Sequence, residues 1–123
     1  MVTKNDKIKV IFEIEESHVN PTQICGKYLT SALSSYYVDK KGDVFPMDNS
    51  VLFIQILDTS KLNEDKTSKL KQWANIERSI QKNILVKESR IQKYKLFSYD
   101  KKKFAEKTKK NQELVNFIKK YIQ

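Results

Sequence analysis

The strongest constraint in this chain is the stretch Val51 to Leu57, VLFIQIL, a nearly unbroken apolar run closed by Asn49-Ser50 before it and Asp58-Thr59-Ser60 after it. A strand with one wet face alternates apolar and polar residues. A strand that is apolar almost throughout is covered on both faces, as the central strand of a helix-flanked parallel sheet is. The rest of the chain has to supply the helices and neighbouring strands that do the covering.

Hydrophobic periodicity locates them. Ile8 to Glu15 alternates and reads as a strand. Ile8, Val10, Phe12 and Ile14 are expected on one face, with Lys9, Ile11, Glu13 and Glu15 on the other. Asn5-Asp6-Lys7 reads as a turn, so Met1 to Lys4 can end a preceding strand. Asn20 and Pro21 suit the N-cap and first position of a helix. Ile24, Cys25, Tyr28, Leu29, Ala32, Leu33 and Tyr36 extend that helix to about Tyr37. Gly26 in its middle suggests a close backbone approach. A second helix is predicted over Thr67 to about Ile84 with Leu70, Trp73, Ile80 and Ile84 in its stripe. A third strand is predicted over Ile91 to Tyr99, and a closing helix over Phe104 to Ile122. The reading is a single α/β domain over residues 1–123, a small mixed sheet flanked by helices in β-α-β-α-β-α order. Three strands make a thin sheet, so Met1 to Lys4 or Val44 to Met47 is expected to add one.

Composition narrows the function classes. Lysine and arginine number 24 against 15 acids, a formal charge of +9. That excess favours a polyanionic partner, with DNA expected to meet a Lys-rich surface such as the last helix and its approach (Lys101 to Lys103, Lys107, Lys109, Lys110, Lys119 and Lys120), although lysine is also an ordinary solvated surface residue. Only Arg78 and Arg90 are arginines, and lysine lacks the planar fork that reads bases. Cys25 is the only cysteine, which excludes an internal disulfide and a paired-cysteine zinc site and fits a reducing, cytoplasmic compartment. No apolar run approaches the roughly 20 residues of a bilayer span, so no membrane partner is expected. Phosphate-cradling glycine loops of the GxxxxGK[ST] and GxGxxG types are absent.

The sharpest chemical feature is Glu13-Ile14-Glu15. Two residues apart on a strand, these carboxylates share a face with Cβ atoms roughly 6.5–7 Å apart. With a third acid, Asp6 or Asp58, such a pair can hold Mg²⁺, a hard cation that prefers oxygen ligands. The plain alternative is a solvated outer strand face, salt-bridged to Lys9. His18, the only histidine, follows in a loop and is either solvated or near the same site. Trp73 is most simply core. Tyr94, Phe97 and Tyr99 interleaved with Lys93 and Lys95 are either a base-stacking surface or the inner face of a strand.

The stretch IKVIFEIEES, a short gap and the helix PTQICGKYLTSAL, followed by the strand FIQILD, resembles the core of the PD-(D/E)XK, or restriction-endonuclease-like, nuclease superfamily. The resemblance covers most of the chain in element order, but its motif content is the EIE triplet and the helix after it. It implies a restriction-endonuclease-like core and a hydrolase that cuts DNA with Mg²⁺. Glu13 would be the metal-binding acid, and Glu15 would stand where the pattern usually has lysine. Gln23 would be the helix-borne polar residue beside the site, and Lys27, one turn on, a migrated catalytic lysine. The upstream acid of the pattern falls on Asp6, giving a metal set of Asp6, Glu13 and Glu15. Asp6 sits in a predicted turn, which implies an incomplete or N-terminally shortened motif. Three functions therefore stand as expectations. One is a metal-dependent DNA phosphodiesterase, intact or degenerate. The others are an inactive nucleic-acid- or protein-binding module of the same fold, and an unrelated small α/β interaction protein; a homodimer is open in each case.

Overall fold

The computed structural model describes residues 1–16, 20–60, 66–84, 89–100 and 109–122. Its centre is the apolar run, which forms the second half of a single long strand, β4 (Val44–Asp58). Every residue from Val51 to Asp58 is buried. Before it come β1 (Val2–Lys4), β2 (Lys7–Glu15), α1 (Pro21–Ala32) and β3 (Tyr36–Val38). After it come α2 (Lys66–Ser79), a π-helical turn (Ile80–Ile84), β5 (Ile91–Tyr99) and α3 (Lys109–Ile122). The described order is thus β-β-α-β-β-α-β-α. Of the two extra strands raised by the sequence, Met1 to Lys4 contributes β1, whereas Val44 to Met47 is not a separate strand but the opening of β4; the other added strand is β3.

β4 pairs in parallel with β2 on one side and with β5 on the other. β1 closes the outer edge of β2 as an antiparallel hairpin, and β3 pairs antiparallel with the start of β4. Two β-α-β passages, β2-α1-β4 and β4-α2-β5, pack α1 and α2 on one face of the sheet. There Ile8, Ile11, Tyr28, Phe53, Ile80 and Tyr94 form a buried cluster, continued by Ile24, Leu57 and Trp73. Tyr28 meets Phe53 edge-on at 5.9 Å and Tyr94 at 5.3 Å. On the opposite face Val10, Leu52, Ile54 and Ile56 are covered by α3 through Leu114, Phe117, Ile118 and Tyr121.

Three local expectations are corrected. The first helix stops at Ala32, not near Tyr37. Ser34 and Ser35 compete for backbone hydrogen bonds, and Tyr36-Tyr37-Val38 is a strand-favouring triplet that pairs with Val44 to Pro46. Tyr37 stays tied to the helix, its hydroxyl 2.7 Å from Ser31 Oγ. Second, Ile8 does not share a face with Val10. The register between β2 and β4 shifts between these residues, so Ile8 joins Ile11 in the α1-side cluster while the Lys9 ammonium lies 5.6 Å from the Tyr121 ring on α3. Third, Gly26 permits no close approach, because nothing lies within 4 Å of the place where its Cβ would stand. In the second predicted helix the regular α-helical bonding ends at Ser79 and continues as the π-turn.

Candidate functional site

Two periodicities meet at the carboxyl end of β2. Residues two apart on a strand are separated by roughly 6.6 Å, and residues four apart on a helix by roughly 6 Å. Glu13 and Glu15 on β2 therefore match Gln23 and Lys27 on α1 in spacing. The helix is aimed by its own sequence: the Asn20 side chain caps it by accepting from Gln23 N at 2.8 Å, and Pro21 starts it. Ile24 and Tyr28, each next to one of the polar pair, are fully buried against the sheet. That burial rolls Gln23 and Lys27 to the edge where the carboxylates stand.

Glu15 is only 4% exposed. Its Oε2 accepts from Gln23 Nε2 at 2.8 Å. Its Oε1 is buried without a hydrogen bond of ordinary geometry, but the Lys27 ammonium contacts it directly. The same ammonium lies 3.7 Å from Glu13 Oε2. A carboxylate this buried is costly unless its charge is met, and one lysine meets it. Hydrogen bonding to Glu15 is the largest influence on Lys27, raising its pKa above the ordinary value, with the charges of Glu15 and Glu13 adding to it against a smaller opposing effect of burial. Lys27 is therefore a fixed cation at neutral pH and not a proton acceptor.

The residue behind the site was not singled out from sequence. Gln55 stands opposite Glu13 in the β2–β4 register and is completely buried. Its Nε2 donates to the Ile24 carbonyl of α1 at 3.1 Å, and its Oε1 accepts from the Tyr94 hydroxyl of β5. The amide thus ties α1, β4 and β5 together next to the acid pair. The available signal was one amide inside an otherwise apolar run, since a buried polar side chain needs partners. Burial raises the pKa of the Tyr94 phenol, keeping it a donor.

The other sequence candidates lie elsewhere. Asp6 sits in the β1–β2 turn with φ 61°, seven residues and so roughly 23 Å along the strand from Glu13. Strand alternation puts Asp58 on the opposite face from Leu57, where its carboxylate accepts from Ser60 N at 2.9 Å and Ser60 Oγ at 2.8 Å. β1 pairs Val2 with Val10 and so does not reach the level of Glu13. Among the described residues no group of three His, Cys, Asp or Glu side chains is arranged to hold a metal ion. The donor set that is present is two carboxylates, and the Lys27 ammonium contacts both, so a cation already stands beside them; Mg²⁺, which commonly takes one or two protein carboxylates and keeps several waters, would have to displace it.

Trp73 is core, packed with Ile24 and Leu57. Tyr94 is buried, and Phe97 meets Phe117 edge-on at 5.9 Å, so neither is presented for base stacking. His18 and the lysines at 101–103 and 107 lie outside the described residues. Lys119 and Lys120 are exposed on α3. No helix among the described residues is long and apolar enough to cross a membrane. No protein-family model, curated protein or solved structure matches this chain.

Proposed function

We propose that this chain is a divalent-metal-dependent DNA phosphodiesterase with a restriction-endonuclease-like core. Glu13 and Glu15 would hold Mg²⁺, and Lys27 would supply positive charge at the scissile phosphate. The observation that carries this reading is the convergence of Glu13, Glu15, Gln23 and Lys27 at the carboxyl end of β2. The carboxyl ends of parallel strands are where open α/β sheets place their ligands.

Each side chain has a distinct part. Glu13 has a side chain 33% exposed and is the carboxylate that incoming substrate can reach. Glu15 is held in one orientation by Gln23. Lys27, kept protonated by the two acids, would stabilise negative charge on a phosphoryl oxygen. Gln55 keeps α1, and with it Lys27, at a fixed height above the strands. Bound Mg²⁺ would supply Lewis acidity toward the phosphate.

The test is nicking of supercoiled plasmid in Mg²⁺ or Mn²⁺. Glu13→Ala is expected to abolish turnover, and Lys27→Met to lower it by roughly two orders of magnitude or more, as loss of a transition-state charge partner does. A homogeneous preparation that cuts nothing in either metal would sink the proposal. A second reading, a non-cleaving nucleic-acid-binding module, is favoured by one observation. The Lys27 ammonium contacts both carboxylates, and no third acid joins them among the described residues. It predicts DNA affinity that falls steeply with salt and no turnover.

A further inference from the structure

We propose that the pocket at the amino-terminal end of the parallel strands is a binding site for a phosphate-bearing ligand, gripped by Lys4 and Lys7. It lies eight residues of β2 from Glu15, roughly 26 Å by strand rise, and does not depend on the nuclease reading. The pocket is about 390 Å³ and is lined by Lys4, Lys7, Lys9, Asp48 and Tyr121, with Asn5 and Ile122 at its margin.

Charge in this pocket is poorly balanced. Lys4 and Lys7 are register partners directly across the hairpin. They are joined by Asn5 and Asp6, whose φ values of 53° and 61° make the tight turn that brings the strands together. Like charges placed opposite each other oppose pairing, and here both line one cavity. Lys9 is met by Asp48 at 3.1 Å. Lys4 donates to the Ile122 carbonyl at 3.0 Å, at the carboxyl end of α3, where the helix dipole offsets part of its charge but no carboxylate pairs with it among the described residues. The Lys7 ammonium makes no side-chain hydrogen bond or direct ion pair among the described residues, and only its longer-range charge reaches Asp48. Among the described residues that line the pocket there are thus three lysines and a single side-chain carboxylate, that of Asp48. Its backbone contact with Asn49, then its contact with Lys9, hold that carboxylate below its usual pKa. Lys93, 5.9 Å from the Tyr121 ring, adds positive potential behind the wall.

An anion bridging Lys4 and Lys7 relieves the repulsion. The cavity is larger than bare phosphate needs and falls within the roughly 300–1,000 Å³ of small-ligand clefts. The ligand class is therefore a phosphate or pyrophosphate carrying an organic group, taken from a free nucleotide or from a nucleic-acid strand.

Calorimetric titration of the whole chain in low salt with inorganic pyrophosphate, ADP and a six-nucleotide single-stranded DNA tests this and separates the sources. Saturable one-site binding of at least one probe is expected. Lys7→Gln should weaken it by about tenfold or more, while Lys7→Arg keeps it. Lys69→Gln with Lys82→Gln, exposed on the other side of the sheet, should leave it unchanged. Without ligand, Lys7→Gln should raise the melting temperature. The proposal is overturned by the absence of saturable binding for all three probes, by equal weakening in the Lys69/Lys82 variant, or by a lower melting temperature for ligand-free Lys7→Gln.

Discussion

On the face covered by α1 and α2, strands β2 and β4 bury Glu15 and Gln55 beside Phe53 and Leu57; on the face covered by α3, the same two strands bury Val10, Leu52, Ile54 and Ile56. The difference follows from what each cover can offer. α1 brings Gln23, Lys27 and the Ile24 carbonyl within reach, so an acid and an amide can be buried there with partners. α3 brings leucine, isoleucine and aromatic rings, with lysines over the ring faces, as Lys93 lies 4.9 Å from the Phe117 centroid. Its own apolar residues are only half-buried. Each buried polar side chain of these strands is thus placed where a partner can satisfy it: Glu15 and Gln55 by α1, and Asp58, at the end of β4 on the opposite face, by Ser60 two residues on.

The comparison can be broken most forcefully in the core. Phe53→Ala removes the ring between Tyr28 and Tyr94 and should cost about 3–5 kcal/mol by denaturant unfolding. Ile54→Ala, one residue on but facing α3, should cost less, about 2–3 kcal/mol, because a half-buried helix can settle into the space. An equal or larger loss for Ile54→Ala would erase the distinction between the faces.

Lys27→Met sharpens the same contrast. It leaves Glu15 buried with Gln23 alone and should destabilise by about 1–3 kcal/mol. That is below the usual figure for a broken buried pair because the Lys27 side chain is itself 39% exposed and partly screened. Adding Glu15→Gln should recover most of the loss, since a neutral amide is far less costly to bury than a lone carboxylate. A double variant as unstable as Lys27→Met would show that packing, not charge, is at stake.

Gly26→Ala should stabilise by about 0.5–1 kcal/mol, seen as a higher melting temperature, because the site is exposed and open and the helix gains a better former. A loss would mean that α1 needs its glycine after all.

The smallest expected effect is alkaline. Lys27 has a pKa raised in the folded state above the ordinary 10.5. Its stabilising contribution is complete below that value and is lost as pH climbs through the higher folded value. Tyr28 and Tyr94, also pushed up by burial, act in the same sense. The informative measurement is therefore the difference in melting temperature between the parent chain and Lys27→Met, which should shrink above about pH 10.5. A constant difference would remove the ion pair from the account.

Much of the architecture was legible because short-range periodicity reports it. The run Val51 to Leu57 is buried on both faces as a parallel central strand, and the strands around Glu13 and Tyr94 stand where alternation put them. The first helix was overextended because Leu33 and Tyr36 continue its apolar spacing, and only the pairing of Tyr36 to Val38 with Val44 to Pro46 resolves the ambiguity. The acid pair, Gln23 and Lys27 were visible as residues. Their meeting depended on α1 lying along β2, a long-range docking that no local pattern encodes. Asp6 shows the converse, since proximity in sequence to the acid strand did not bring it near the acids.

Sequence alone determined the alternation, the capped start of α1 at Asn20 and Pro21, the closely spaced carboxylates and the excess of lysine, because each is a property of neighbours along the chain. Tertiary structure alone decided that Glu15 is buried and Lys27 is its counter-ion, that Gln55 is a three-way tie, and that Lys4 and Lys7 face one cavity. Those outcomes depend on which elements are stacked against which, and on the partners that burial then makes obligatory.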